Sequence, residues 1–367
     1  MSIKIISVAG ARPNFMKIAP LMAAFGERSE IQPMLVHTGQ HYDEKMSDLF
    51  FRQLGIPEPD VNLGIGSGSH AVQTAEIMKA FEQVVLKENP DVVLVVGDVN
   101  STIACGMVAV KLGIRLVHVE AGLRSGDRAM PEEINRILTD SISDMLFCTE
   151  KSGVENLRGE GVAEGRIFFV GNVMIDTLLK NREKAEASTI MDELGLEPKG
   201  FATMTVHRPS NVDNAETFSK LLDAIEKIQA ELPIICPMHP RTRNNLPKLG
   251  LQERVEGMKN LRILEPIGYL DFLKLNASAK VCLTDSGGLQ EETTVLRVPC
   301  ITMRENTERP STCEIGTNQL VGTDPAAILA AWKKVKAGEY DNREIPELWD
   351  GQAAGRIAEI IVSQNEI

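Results

Sequence analysis

The chain has 367 residues, of which 43% are hydrophobic and 25% are charged, and its formal net charge is −12. A single hydrophobic core rarely supports a chain of this length, so we expect a globular protein of two domains. The excess of acidic residues argues against a nucleic-acid partner, and the sequence contains no apolar run long enough to span a membrane.

The cysteines indicate a reducing compartment. Six cysteines are scattered through the chain, mostly within apolar runs and without a C-x-x-C pair: Cys105, Cys148, Cys236, Cys282, Cys300 and Cys313. Thiols in such positions are typical of reduced core residues. Because Met1 to Lys4 leads directly into an apolar strand rather than a signal peptide, we predict a cytoplasmic protein.

Two basic residues follow the first predicted strand, residues 3–9. The next stretch reads G-A-R-P-N-F-M-K, which lacks the G-x-G-x-x-G fingerprint and makes a nicotinamide oxidoreductase the least favoured enzyme class. Arg12 and Lys17 lie at the carboxyl end of this strand, where open α/β sheets bind ligands. They could instead be surface charges on a helix start, but cations oppose the helix dipole there, which favours a functional role.

Three carboxylates follow later elements of the first half. Apolar strands at residues 91–96 and 115–119 lead to Asp98 and Glu120, and Glu132 lies in the first turn of a helix that begins at Pro131. Carboxylates at neighbouring strand ends repel each other unless one is protonated or a cation lies between them. Such surroundings shift pKa values, which is what acid/base chemistry requires.

Each of these carboxylates also has a structural alternative. Asp98 could form an Asx-turn, Glu120 could pair with Arg124, and Glu132 could pair with Arg136 one helical turn along. Any one of the three alone would be read as structural. All three at one sheet edge favour acid/base chemistry.

Histidines lie at strand ends in the second half. Strands predicted at residues 201–206 and 232–238 end at His207 and His239, each close to an arginine, and further strands are expected at 261–264 and 299–303. We interpret these two histidines as facing a ligand, and His118, inside a strand, as a satisfied core histidine. Because no cluster of His, Cys or Asp has the spacing of metal ligands, we predict no metal.

A glycine turn in the second half indicates an anion-binding helix start. An apolar run stops at Asp285, Ser286, Gly287 and Gly288 follow, and residues 289–296 are predicted to be helical. Free backbone N–H groups and the positive end of the helix dipole attract an anion, and glycine allows a phosphate to approach the backbone. Glu292 could accept hydrogen bonds from a ribose. An ordinary strand-to-helix turn is the alternative, so the motif alone is weak evidence.

Seven motifs together are far more specific than any one of them. In chain order they are G-A-R-P-N-F-M-K, G-D-V-N-S-T, H-V-E-A-G-L-R, P-E-E-I-N-R, the pair His207-Arg208, T-D-S-G-G-L-Q-E-E and R-E-N-T-E-R-P. In these motifs and their order the sequence resembles the non-hydrolysing UDP-N-acetylglucosamine 2-epimerases over almost its whole length.

The resemblance implies a fold and an assembly. It implies the glycosyltransferase-B architecture, with two Rossmann-like α/β/α domains facing a deep cleft. The domains would comprise residues 1–171, completed by a C-terminal helix at 351–367, and residues 172–350. Members of the family convert UDP-GlcNAc reversibly to UDP-ManNAc, usually as homodimers and without an added cofactor.

The resemblance also implies roles for individual residues. Asp98, Glu120 and Glu132 would surround the sugar, and His207 would lie beside the leaving UDP. The implied substrate-binding residues are Arg12, Lys17, Arg136, Phe272, Ser286, Gly287, Gly288, Glu292 and Arg309. Which carboxylate is the base and which is the acid stays open.

The sequence departs from many bacterial members at one point, where Pro209, Ser210 and Asn211 replace a second arginine and a glutamate after the His-Arg pair. In the family, UDP-GlcNAc can act as an allosteric activator, with candidate contacts at Gln40, His41, Arg208 and His239, so activation stays open here.

Three alternative functions stay open: a relative that epimerises UDP-2,3-diacetamido-glucuronate, a hydrolysing epimerase and a glycosyltransferase of the same architecture. A glycosyltransferase would not need three carboxylates in its first half.

Overall fold

The computed structural model describes residues 2–10, 12–39, 54–340 and 343–365. The chain divides into two units, Met1–Lys180 together with Glu347–Ile367, and Asn181–Pro346. No helix in the described ranges is long and apolar enough to cross a membrane.

The first unit contains a seven-stranded parallel sheet in the order β3-β2-β1-β4-β5-β6-β7. Its strands are β1 (Ile3–Ala9), β2 (Ile31–His37), β3 (Val61–Asn62), β4 (Val92–Val96), β5 (Arg115–Ala121), β6 (Met145–Cys148) and β7 (Ile167–Phe169). The run V-V-L-V-V of β4 is buried throughout, as expected for a strand covered on both faces. The strand order changes direction between β1 and β4, and open α/β sheets bind ligands at such a point.

Helices cover this sheet. They are α1 (Arg12–Gly26), α2 (His70–Glu88), α3 (Asn100–Lys111), α4 (Pro131–Ile142), α5 (Lys151–Gly159) and α6 (Val173–Glu186), with a 3-10 turn at Glu164–Arg166. Pro131 begins α4, as predicted from its fixed φ angle and missing N–H. The predicted boundary after residue 171 precedes α6, whereas the first unit ends at Lys180, inside that helix.

A helix from the far end of the sequence, Ala353–Asn365, also belongs to the first unit and packs against α1. Its first N–H groups, those of Ala353 and Ala354, donate to the Asp176 carboxylate over 3.2 and 2.8 Å. Just before the helix, Trp349 Nε1 donates to the Thr149 carbonyl over 2.9 Å. The first unit is therefore built from both ends of the chain.

The second unit contains a six-stranded parallel sheet in the order β10-β9-β8-β11-β12-β13. Its strands are β8 (Ala202–Thr205), β9 (Ile234–Pro237), β10 (Leu261–Leu264), β11 (Val281–Thr284), β12 (Cys300–Thr302) and β13 (Asn318–Leu320). Its helices are α7 (Ile190–Glu193), α8 (Pro209–Val212), α9 (Ala215–Glu231), α10 (Pro240–Lys248), α11 (Gln252–Glu256), α12 (Tyr269–Ser278), α13 (Gly287–Leu296), α14 (Pro310–Glu314) and α15 (Pro325–Lys336). We number the C-terminal helix Ala353–Asn365 as α16. The prediction of two parallel-sheet α/β domains is confirmed.

Candidate active site

A buried ion pair lies at the carboxyl edge of the first sheet. Lys17 Nζ on α1 pairs with Glu120 Oε2 near the end of β5, and both side chains are less than a tenth exposed. Gly97, directly after β4, lies against the pair, because a Cβ built on it would be 3.1 Å from both charged atoms. Asn14 holds α1 at this edge by donating to the Val96 carbonyl over 3.0 Å. Two predicted site residues, Lys17 and Glu120, are thus in direct contact.

The backbone of Glu120 is unusual. Its φ angle is +75°, a left-handed conformation that costs free energy for a residue with a Cβ. The pairing register between β5 and β6 also shifts between Val119 and Ala121. Such irregularities redirect a side chain out of the strand alternation and are common next to active sites. Here the irregularity coincides with Glu120.

The second predicted carboxylate, Asp98, pairs with Arg136 of α4. Arg136 Nη1 also contacts Glu133 Oε2 at 2.7 Å, and the arginine is almost completely buried. Burial would raise the pKa of Glu133, but hydrogen bonds from the N–H groups of Ser125 and Gly126 and from Arg136 outweigh it and lower that pKa. Sequence reasoning missed Glu133, although its i,i+3 spacing to Arg136 was a visible signal.

The third predicted carboxylate, Glu132, is half-buried in the first turn of α4. The two ion pairs offered by the sequence as structural alternatives are not those of the structure. Arg136 pairs with Asp98 and Glu133 rather than with Glu132. Arg124 likewise pairs with other acidic groups, Asp140 and Glu160, and Glu120 with Lys17. Contacts with distant segments, together with the local pair of Arg136 and Glu133, therefore replace both predicted pairings.

His118 of β5 is completely buried, and both its ring nitrogens are hydrogen-bonded. Nδ1 lies 2.6 Å from Asp140 Oδ1, and Nε2 lies 2.9 Å from the Gly97 carbonyl oxygen. The interpretation as a satisfied core histidine is confirmed. Of the other residues predicted for a site in this half, Arg12 begins α1. Gln40 and His41 lie outside the described residues.

In the second unit the glycine turn has the predicted strand–turn–helix form. Strand β11 ends at Thr284, Ser286 is the N-cap, and α13 begins at Gly287, two residues earlier than the predicted start at 289. Within the described part of the chain, no side chain caps this helix start, so its first N–H groups point outward from the strand end. A Cβ on Gly287 would be 2.7 Å from Arg309 Nη1, so the arginine side chain packs directly on this turn.

Asp285, which sequence reasoning did not single out, organises the start of this turn. It is completely buried and accepts hydrogen bonds from the backbone N–H groups of His207 and Arg208 and from Asn211 Nδ2, all between 2.9 and 3.1 Å. His207 Nδ1 lies 3.0 Å from Asp285 Oδ1. Burial would raise the pKa of Asp285, but His207 and these N–H groups outweigh it and lower that pKa. A carboxylate orienting a histidine is typical of acid/base sites.

A buried acidic pair follows the turn on α13. Glu291 Oε1 lies 2.8 Å from Arg309 Nε in a buried ion pair. Burial, together with the like charge of Glu291, raises the pKa of Glu292 to about 8. Phe272 of α12 packs against the core cluster of Cys282, Leu289 and Cys300. Glu292 thus lies on α13, the helix that follows the glycine turn, and Arg309 and Phe272 lie on segments that contact this helix.

Two further residues of the second unit, His239 and Arg208, were predicted as ligand contacts. The exposed His239 caps α10 by accepting from the Arg241 N–H over 3.1 Å, and its ring centroid lies 5.8 Å from that of His207. Arg208 is half-buried and precedes α8. His207, His239 and Arg208 therefore lie at the carboxyl edge of the second sheet.

Comparison with known proteins places the chain among relatives that it matches from end to end. The family model described as UDP-N-acetylglucosamine 2-epimerase matches residues 23–362. The chain belongs to the UDP-N-acetylglucosamine 2-epimerase family. Members of this family are isomerases, so the predicted enzyme class is confirmed.

Three relatives of this epimerase family illustrate the match. A UDP-N-acetylglucosamine 2-epimerase homolog of Methanococcus maripaludis is 45% identical over 98% of this chain and 99% of the relative. The UDP-2,3-diacetamido-2,3-dideoxy-D-glucuronate 2-epimerase of Pseudomonas aeruginosa is 40% identical over 98% and 99% of the two chains. The crystal structure of the Methanocaldococcus jannaschii UDP-GlcNAc 2-epimerase with UDP-GlcNAc and UDP is 41% identical, with a TM-score of 0.92 over 98% of this chain and all of that one. The glycosyltransferase-B fold class is confirmed.

Proposed function

We propose that the chain catalyses reversible C2 epimerisation of UDP-GlcNAc to UDP-ManNAc, without net hydrolysis and without an added cofactor. The observation that carries the proposal is the edge of the first sheet, where Asp98 and Glu120 each contact a buried cation and Glu132 lies on the adjoining helix. The names of the relatives, including an epimerase crystallised with UDP-GlcNAc and UDP, support the substrate class.

The chemistry explains why several carboxylates are needed. C2 of the sugar has no neighbouring ketone, so its proton is not acidic enough for simple removal. If the C1–O bond breaks while a base takes the C2 proton, the bonding electrons of C1–O leave with UDP and a C1=C2 double bond forms in a 2-acetamidoglucal. Protonation of C2 on the other face and return of UDP to C1 then give the epimer. The reaction needs a base, an acid and leaving-group stabilisation.

The ion pairs of the first unit suit this task. Lys17 and Arg136 place a positive charge directly against Glu120 and Asp98. We propose that Asp98, Glu120 and Glu132 share the base and acid roles, and that Arg12, Lys17 and Arg136 also compensate the diphosphate. Single substitutions of the carboxylates would assign the base and the acid.

The second unit supplies groups for UDP. We propose that the N–H groups of Gly287 and Gly288, together with the Ser286 hydroxyl, bind phosphate oxygens, since a helix start attracts anions. The Ser286 N–H itself donates to Thr284 Oγ1 over 3.0 Å, which corrects its predicted part in the phosphate site. Glu292 would bind the ribose, and His207 would lie beside the leaving phosphate, oriented by its contact with Asp285. Phe272 would line the uracil pocket and Arg309 would hold the glycine turn in place.

Incubation with UDP-GlcNAc in D2O tests the proposal. Elimination and re-addition exchange the C2 hydrogen with solvent, so UDP-ManNAc should carry deuterium at C2, with UDP and 2-acetamidoglucal as minor leaked species. Unlabelled UDP-ManNAc would contradict the mechanism and point to transient oxidation at another carbon. Free ManNAc with stoichiometric UDP would instead identify a hydrolysing epimerase.

A second candidate substrate is UDP-2,3-diacetamido-glucuronate. The relative from Pseudomonas aeruginosa that carries this activity in its name is 40% identical over 98% of this chain, and that identity favours the candidate. The same assay with both nucleotide sugars separates the candidates by the ratio of their kcat/KM values. A ratio above about tenfold in favour of the diacetamido sugar would replace UDP-GlcNAc in the proposal.

Assembly and regulation complete the proposal. We propose a homodimer whose product supplies ManNAc-type sugars for a surface polysaccharide, and sedimentation velocity would detect the dimer.

Activation by UDP-GlcNAc, with contacts at Gln40, His41, Arg208 and His239, predicts sigmoidal dependence of the rate on UDP-GlcNAc. Hyperbolic kinetics in the reverse direction from UDP-ManNAc alone would remove activation from the proposal.

A further inference from the structure

His118 lies behind the carboxylates at the first sheet edge. Its Nε2 faces the carbonyl oxygen of Gly97 at 2.9 Å, and its Nδ1 faces Asp140 Oδ1 at 2.6 Å. A carbonyl oxygen can only accept, so Nε2 carries a hydrogen. The state of Nδ1 then depends on whether Asp140 is a carboxylate or a carboxylic acid.

Two donors argue that Asp140 is a carboxylate. Its Oδ2 accepts from the Gly122 N–H at 3.0 Å and contacts Arg124 Nη1 at 2.7 Å. Burial would raise the pKa of Asp140, but neighbouring charge, including that of Arg124, outweighs it and lowers that pKa. With a carboxylate as its neighbour, Nδ1 must also donate, so the buried ring holds both protons.

This pair is attached to both loops that present the predicted carboxylates. His118 Nε2 fixes the carbonyl of Gly97, the residue before Asp98. Asp140 fixes the N–H of Gly122, two residues after Glu120. A Cβ on Gly122 would lie 2.2 Å from the Gly153 carbonyl oxygen, so this turn has no room to shift.

The contacts also explain how an unfavourable backbone persists. Glu120, at φ +75°, lies between His118 and Gly122, whose positions the hydrogen-bonded pair determines from both sides. A strained residue persists only where its surroundings over-determine it. Charged groups around the pair are Arg124 with Glu160 beyond Asp140, and Lys17 with Glu120 on the other side of Gly97.

We propose that His118, holding protons on both ring nitrogens, is a positioning residue that together with Asp140 fixes the Gly97 and Gly122 loops and thereby aligns Asp98 and Glu120 for proton transfer. The alignment part rests on the proposed function, whereas the protonation state does not. His118 touches no reacting atom and acts through the backbone of the two loops.

The first test is spectroscopic and uses the wild-type protein. With 15N-labelled histidine, both ring nitrogens of His118 should show the chemical shifts of protonated nitrogens, with N–H protons that exchange slowly. A neutral His118 ring with one bare nitrogen at neutral pH would overturn the proposal.

The second test is kinetic. His118→Gln and Asp140→Asn should each lower kcat for epimerisation by about 10²-fold, because small misplacements of reacting groups have effects of this size, and should leave KM within a few-fold. Since the two residues act as one unit, the double variant should lose about the same 10²-fold, not 10⁴-fold. Losses that multiply, or a rise in KM alone, would contradict a joint positioning role.

Asp144→Asn is the matched control. Asp144 accepts from the Leu116 N–H over 2.7 Å at the opposite end of the same strand, so its loss perturbs β5 without touching either loop. We expect its kcat to stay within about twofold of wild type. If the wild-type protein epimerises no UDP-sugar, the proposed function fails while the ring protonation is still decided by the spectrum. If the wild-type protein epimerises a UDP-sugar and His118→Gln keeps the wild-type kcat, the proposed positioning role is wrong while the proposed function stands.

Discussion

The two sheet edges hold their carboxylates in different ways. In the first unit, Glu120 and Asp98 are balanced by the side-chain cations Lys17 and Arg136. In the second unit, Asp285 is balanced by the His207 side chain and by backbone N–H groups, and burial keeps the pKa of Glu292 raised to about 8. Side-chain cations can move during a reaction, whereas backbone donors are fixed by the fold. The contrast suits proton transfer in the first unit and binding of the leaving UDP in the second.

The largest expected effect concerns the first edge. Asp98→Asn and Glu120→Gln should each lower the rate of C2 hydrogen exchange by about 10²–10⁴-fold, because each removes a positioned acid or base. Binding of UDP, measured by calorimetry, should change little, because the proposed ribose and uracil contacts lie in the second unit.

Glu76→Gln is the control for this pair, since Glu76 is an exposed carboxylate of the same unit that pairs with Lys79. It should exchange at the wild-type rate. If Glu120→Gln binds UDP more weakly and its rate of C2 hydrogen exchange falls only by the same factor, Glu120 acts in binding. The two edges would then not differ in function.

The second prediction concerns stability at the other edge. Asp285→Asn replaces a completely buried carboxylate by an amide whose NH2 group cannot accept from the His207 and Arg208 N–H groups. Leaving buried donors without their acceptor should cost about 3 kcal/mol, which corresponds to a fall in melting temperature of roughly 6–12 °C for a domain of this size.

The matched variant is Asp213→Asn, in the same unit, where the carboxylate is 40% exposed and pairs with Arg241. An exposed ion pair contributes less than about 1 kcal/mol, so its melting temperature should stay within a few degrees of wild type. If the melting temperature falls equally in the two variants, the contacts of Asp285 with backbone N–H groups contribute no more to stability than an exposed ion pair.

The third prediction concerns a pH dependence from Glu292. Its folded pKa of about 8 lies above the value of an unfolded glutamate, so its contribution to stability is complete below the unfolded pKa and is lost as pH rises through about 8. Glu292→Gln removes the titration, so the variant should gain melting temperature relative to wild type between about pH 5 and pH 8.5, by roughly 10 °C.

Glu256→Gln, at an exposed carboxylate of α11, serves as the control and should show the wild-type pH dependence. If the difference between wild type and Glu292→Gln is constant across this range, Glu292 is ionised throughout, and burial does not distinguish it from the carboxylates of the first edge.

Much of this arrangement could be predicted from the sequence, because parallel strands place their carboxyl ends at one edge. The positions of Asp98, Glu120 and His207 at strand ends follow from apolar runs that stop abruptly. The glycine turn could also be predicted, because two glycines after a buried strand leave few other structures.

The ion pairs could not be predicted in this way. Arg136 has Glu132 at i−4 and Glu133 at i−3, and both spacings permit contact on a helix. The choice of Glu133 is made by the Ser125 and Gly126 N–H groups, which hold its carboxylate, and by Asp98 from another strand end. Such contacts between segments distant in sequence leave no local pattern.

Helix α16 has a consequence for the order in which the protein can assemble during synthesis. Its N–H groups at Ala353 and Ala354 bind Asp176, and Trp349 binds the Thr149 carbonyl, so the first unit needs residues that leave the ribosome after the whole second unit. The second unit, Asn181–Pro346, is continuous and can fold as soon as it emerges. The half of the molecule that is translated first is therefore completed after the second unit, and a nascent chain keeps the α16-binding surface of α1 uncovered until α16 has been synthesised.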